Sequence, residues 1–137
     1  MMPLFVDSSA WSRLLRRDRP ARDPFVRRLE LALEQGEDLI GTGIVLQELL
    51  QGFPTPRSAR TIVDRFRALE LVVPTVDDHI HAAEVRLRCC RGGVRVSTVD
   101  ALLTAICIDR QLMMLTADQD FEHIARHVPL LCWQPAA

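Results

Sequence analysis

Short apolar segments alternating with longer amphipathic ones constrain this chain more than any other feature. Leu4-Phe5-Val6, Leu71-Val72-Val73 and Leu112 to Leu115 are continuous apolar runs, the pattern of strands buried on both faces. "DLIGTG" (38–43) and "LLC" (130–132) read as two further short strands. Between them the period changes to that of a helix. Ala10, Trp11, Leu14 and Leu15 share one face, and Phe25, Leu29, Ala32 and Leu33 form a stripe that opens near Pro24 and ends at Gly36. Residues 43–51 read as a mostly buried helix broken by "GFPTP", after which Thr55 caps a helix striped by Ile62, Phe66 and Leu69. Thr75 with Asp78, and Ser97 with Asp100, have capping-box spacing at the heads of two more helices; Gly92-Gly93 stops the first of these, and 120–127 reads as a last helix. Strands and helices alternating in this way imply a parallel sheet covered on both faces, a three-layer α/β/α sandwich. In such folds ligands bind beyond the carboxyl ends of the strands.

The bulk numbers fit one soluble domain over residues 1–137. Hydrophobic residues make up 48% of the chain, enough for a substantial core, and no apolar run approaches the length of a membrane span. The N-terminus lacks the layout of a signal peptide, so a cytoplasmic protein is expected. Cys89, Cys90, Cys107 and Cys132 show no CxxC spacing and read as reduced thiols. The net charge of −1 argues against a generally basic coat, yet Arg13, Arg16, Arg17, Arg19, Arg22, Arg27 and Arg28 face only Asp18 and Asp23 in that stretch. Such a cluster is either a solvated helix face or a phosphate-contacting patch.

Acids stand at the strand ends. Asp7 follows the first strand, Glu48 lies on the helix after the second, and Asp100 is in the first turn of the helix before "LMML". "TADQDF" then brings Thr116, Asp118 and Asp120. Each has an ordinary reading as a cap, a first-turn acid or an exposed helix residue. Glu48 stands among Ile44, Val45, Leu46, Leu49 and Leu50, an apolar setting in which a carboxylate needs a cation or donors. Four acids on one sheet edge would repel unless a cation lay among them, and hard oxygen ligands suit Mg²⁺ or Mn²⁺. Such a site fits phosphodiester hydrolysis.

These segments, "LFVDSSAW", "VLQELLQG", "STVDALLTAI", "LMMLTADQDF" and the tail "LLCWQP", resemble the PIN-domain ribonucleases, and within them the short VapC-type toxins of toxin–antitoxin pairs. The resemblance covers essentially the whole chain, with four motifs in order. It implies a sheet of about five strands and a metal-dependent endoribonuclease acting through Asp7, Glu48, Asp100 and Asp118. Asp7, Asp100 and Asp118 would hold Mg²⁺ or Mn²⁺, Glu48 would orient or deprotonate the attacking water, and Thr116 and Asp120 would be auxiliary. It also implies an RNA substrate, a homodimer and a small VapB-type antitoxin whose tail fills the groove.

Other readings are weaker. A non-catalytic PIN-like module that grips RNA or protein is the main alternative, and loss of one acid would have marked it. Receiver or phosphatase chemistry wants a second acid two residues after Asp7, where Ser9 stands, or a late lysine, and the chain has no lysine. His123 and His127 lie four apart but lack the glutamate of HExxH and a third ligand. Trp11 and Trp133 read as packing residues rather than as base-stacking platforms.

Overall fold

The computed structural model describes residues 2–16 and 22–136. Four strands form one parallel sheet: β1 (Leu4–Val6), β2 (Leu39–Thr42), β3 (Glu70–Val72) and β4 (Met113–Leu115), in the order β3-β2-β1-β4. The helices among the described residues are α1 (Ser8–Leu15), α2 (Pro24–Gln35), α3 (Gly43–Gly52), α4 (Pro56–Arg67), α5 (Val76–Arg91), α6 (Thr98–Asp109) and α7 (Asp120–Ala125). They complete the three-layer α/β/α arrangement. In it α1 packs on α2 and α3, α3 on α4, and α5 on α6.

Local chemistry sets most boundaries. Asp23 caps α2 by accepting from the Phe25 and Val26 N–H groups, Pro24 occupies the first helical position, and Gly36 ends the helix with φ +64°. Thr55 caps α4, and Thr75 with Asp78 makes both bonds of a capping box on α5. Gly92 closes α5, and Gly93 follows at φ +83°. At α6 the Ser97 hydroxyl accepts from the Asp100 N–H, so the Ser97 half of the expected box is present. The core includes fully buried Phe5, Leu29, Val45, Ile106 and Met114, and Trp11 packs on Phe66 with centroids 5.4 Å apart. Trp133 meets Phe25 edge-on, so both tryptophans pack as expected.

Several sequence expectations need correction. The third strand is Glu70–Val72 rather than 71–73, and it is an edge strand with Leu71 38% exposed, not a strand buried on both faces. "LLC" is reduced to a single parallel bridge from Met114 to Cys132, so the sheet has four full strands and the start of a fifth. Helix α3 is only half buried: Val45 and Leu49 face inward while Glu48 lies on the exposed side. Helix α7 ends at Ala125, before His127. In the arginine-rich stretch, Arg13 pairs with Asp23 at 3.0 Å and lies over the Phe25 ring, and Arg28 makes two bonds to Glu37. Arg17, Asp18 and Arg19 lie outside the described residues.

Candidate active site

The strand order decides where a site forms. The chain runs β1, β2, β3 toward one edge and then returns to place β4 on the other side of β1. The reversal makes the β1/β4 boundary the switch point, where a crevice opens at the carboxyl ends. Pairing of Val6 with Leu115, continued by the Asp7 N–H to the Leu115 carbonyl at 3.0 Å, sets Asp7 beside Thr116.

Asp7 is 5% exposed and would be costly to bury without partners. Its Oδ2 accepts from the Ser9 hydroxyl at 2.8 Å and the Thr116 hydroxyl at 3.0 Å, with the Ser9 N–H farther off at 3.4 Å. The hydroxyl oxygens accept in turn, Ser9 from the Ala117 N–H at 2.9 Å and Thr116 from the Asp118 N–H at 3.0 Å. A hydroxyl has one proton to give, so these backbone donors direct both protons toward Asp7. Oδ2 is thereby saturated, while no donor reaches Oδ1 among the described residues. Ser9 and Thr116, themselves 3.1 Å apart, thus tie the end of β1 to the loop after β4.

That loop carries the next acids. Asp118 accepts from the Asp120 N–H at 2.9 Å, and carboxylate oxygens of Asp100, Asp118 and Asp120 lie within 4.8 Å of one another. Asp7, Glu48, Asp100 and Asp118 line one groove of about 310 Å³, beside Ser9 and Phe53. The four acids singled out from the sequence therefore come together, and Asp120 joins Asp100 and Asp118 more closely than its auxiliary standing suggested.

Crowding shows in the proton affinities. Burial, then the charges of Asp7 and Asp118, push the Asp100 carboxyl up to about 6; the Ser97 hydroxyl opposes this and Glu48 adds to it. Glu48 is exposed as a residue, yet partial burial of its carboxyl, followed by the Asp7 charge, raises its pKa against the Ser8 hydroxyl. Desolvation of the carboxyl at the lip of the groove is thus the larger cause and the neighbouring Asp7 charge the smaller.

Sequence reading missed Ser9, which reaches both Asp7 and the 116–117 segment. Its one signal in the sequence is the second hydroxyl of "DSS", directly after the first strand's acid. Thr116 links Asp7 to the Asp118 N–H through its hydroxyl.

Fold and site together define a parallel α/β/α domain with a carboxylate-lined groove at its switch point. The chain belongs to the PIN domain family, whose sequence profile matches residues 4–127. No curated protein matches it in sequence. Among solved structures, VapBC2 from Rickettsia felis, bound to a DNA fragment from its promoter, is 18% identical with a TM-score of 0.74, covering 96% of this chain and 98% of that one. VapBC-1 from nontypeable Haemophilus influenzae is 17% identical with a TM-score of 0.72, covering 97% of each chain. VapC20 of Mycobacterium tuberculosis, a Sarcin-Ricin loop cleaving toxin, is 24% identical with a TM-score of 0.70, covering 93% of this chain and 98% of that one. No described helix is long and apolar enough to cross a membrane.

Proposed function

We propose that this chain, a single PIN domain, is a divalent-metal-dependent endoribonuclease and the VapC-type toxin of a toxin–antitoxin pair. The observation that carries the reading is the convergence of Asp7, Glu48, Asp100 and Asp118 on one groove at the switch point. The resemblance of the fold to VapC toxins, one of them a cleaver of the Sarcin-Ricin loop, supports it.

The donor set fits a hard divalent cation. Three carboxylates within 4.8 Å of one another, and an acid whose proton affinity is raised by its neighbours, are stabilised by a positive charge. Asp100, Asp118 and the free Oδ1 of Asp7 are the proposed ligands of Mg²⁺ or Mn²⁺, with Asp120 in reach. Such an ion supplies activation of water and neutralisation of charge on the phosphate. Ser9 and Thr116 hold Asp7 with one oxygen toward the groove. Glu48, with its raised proton affinity, is suited to accept a proton from the attacking water. The proposed setting is cytoplasmic, with RNA as substrate, a VapB-type antitoxin as partner and a homodimer as the assembly.

The test is cleavage of total bacterial RNA by the purified, antitoxin-free protein, with Mg²⁺ or Mn²⁺ and with EDTA, beside Asp7→Asn. Discrete metal-dependent cuts that vanish in the variant are expected. Absence of cutting refutes the reading and favours a non-catalytic binding module; equal cutting by Asp7→Asn refutes the assignment of the site to this carboxylate.

A further inference from the structure

Arginines without a carboxylate partner also cluster outside the stretch where arginine is densest in sequence. Arg13 and Arg28 are neutralised by Asp23 and Glu37. Between Glu84 and Asp100, by contrast, Arg86, Arg88, Arg91 and Arg95 occur with no acid at all. All four are exposed, and among the described residues none is paired with a carboxylate.

Two of them share a cleft. Arg86 and Arg95 line a cavity of about 520 Å³ with Leu87, Cys90, Val94 and Ser97, between α5 and the loop that follows it. The loop is held in place: the Gly93 and Val94 N–H groups bond to the Cys90 and Cys89 carbonyls at 3.0 and 2.9 Å, and Val96 is buried. Arg86 is also held, its Nε donating to the Val96 carbonyl at 2.8 Å. No partner occupies its two η nitrogens among the described residues. A guanidinium anchored through Nε presents a preorganised fork for a phosphate. Ser97, which lines this cleft, accepts through its hydroxyl from the N–H of Asp100, which lines the acidic groove, at 3.0 Å, and so links the two.

Complementing the carboxyl end of α5 accounts for Arg88 and Arg91, which lie in its last turn. It does not account for Arg86, which lies before that last turn, or for Arg95, beyond the helix. The arginines of α4 offer a contrast. Arg57, Arg60, Arg65 and Arg67 are interrupted by Asp64, and Arg65 lines a cleft with Glu37, Asp38 and Glu70.

We infer that the cleft carrying Arg86 and Arg95 is a phosphodiester-binding subsite that holds backbone phosphates of the RNA flanking the bond to be cut. This rests on the nuclease reading above. The division of labour is electrostatic: an acidic groove repels a polyanion, and an adjacent basic cleft supplies the attraction that brings it there.

The test measures binding apart from cleavage. The full-length protein carrying Asp100→Asn, in EDTA, is titrated with a labelled mixed-sequence single-stranded RNA across a salt series. Adding Arg86→Gln with Arg95→Gln should weaken binding roughly tenfold and flatten the slope of log affinity against log salt by about 1.4, about 0.7 for each lost phosphate contact. Arg95→Gln alone, which removes no bond of the fold, should give about half that change in slope. Arg65→Gln with Arg67→Gln is the control and should leave the slope nearly unchanged. Equal losses in cleft and control variants, an unchanged slope, or no RNA binding by the parent protein overturns the subsite. So does normal RNA binding with lost binding of poly-glutamate, which would assign the cleft to an acidic protein segment. The two readings fail separately. RNA held through the cleft but never cut by the chain with intact carboxylates sinks the nuclease alone; cutting whose KM is untouched by Arg95→Gln sinks the subsite alone.

Discussion

Asp100→Asn should make the metal-free protein more stable while abolishing its activity. The Asp100 carboxyl is pushed up to about 6 in the fold from an ordinary 3.8, chiefly by burial and by the charges of Asp7 and Asp118. A raised carboxyl contributes relative stability below its unfolded pKa and loses it as pH rises through the folded one, here between 3.8 and about 6. Above that window the ionised group carries the full repulsion. Two units at 1.36 kcal/mol each set a ceiling near 3 kcal/mol, and partial exposure of the groove reduces it to about 1–2 kcal/mol. Asparagine keeps the side-chain volume, and the Ser97 bond to the backbone N–H does not involve the carboxyl. Urea unfolding in EDTA should therefore show Asp100→Asn ahead by about 1–2 kcal/mol near pH 7.5, with the gap narrowing as pH falls below about 6 and closing below 3.8, where the wild-type carboxyl is protonated in both states. A variant no more stable at the higher pH, or a gap that ignores pH, would refute the electrostatic account of the groove.

The ion pair between Asp78 and Arg110 works in the opposite sense. Its two bonds of 2.8 and 2.9 Å hold the Asp78 carboxyl down at about 2, so stability present above 3.8 is lost as pH falls toward 2. Asp78→Asn should cost about 2 kcal/mol in urea unfolding at neutral pH and nearly nothing at the acid end. Ser9→Ala should lower Mn²⁺ affinity, measured calorimetrically, and kcat/KM by roughly 10–100-fold with the fold intact, whereas Ser9→Thr keeps the hydroxyl and most of both. Millimolar Mg²⁺ or Mn²⁺ should raise the melting temperature of the wild type, since an ion that binds only the folded state stabilises it. The same ions should have much less effect on the melting of Asp118→Asn.

Much of the fold is legible in the sequence because its signals are local. Apolar runs, helical stripes and the caps at Thr55 and Thr75 are read within a few residues of themselves, and the structure places most of them where the pattern does. The candidate acids are legible for the same reason, since each sits a few residues from a recognisable strand or cap. The tertiary structure alone decides the strand order, and with it that β4 lies against β1, so that Asp7 and Asp118 share a groove although more than a hundred residues separate them. Long-range pairing likewise settles that β3 is an exposed edge, that Glu48 sits at a lip and not in a core, and that Ser9 bonds to Ala117. It also settles which arginines are neutralised. Arg28 finds Glu37 across a turn, whereas Arg86 is anchored to the Val96 carbonyl beside the groove. Periodicity and capping depend on neighbours along the chain; adjacency of strands, burial of charge and sharing of hydroxyl protons depend on neighbours in space, which no short stretch of sequence contains.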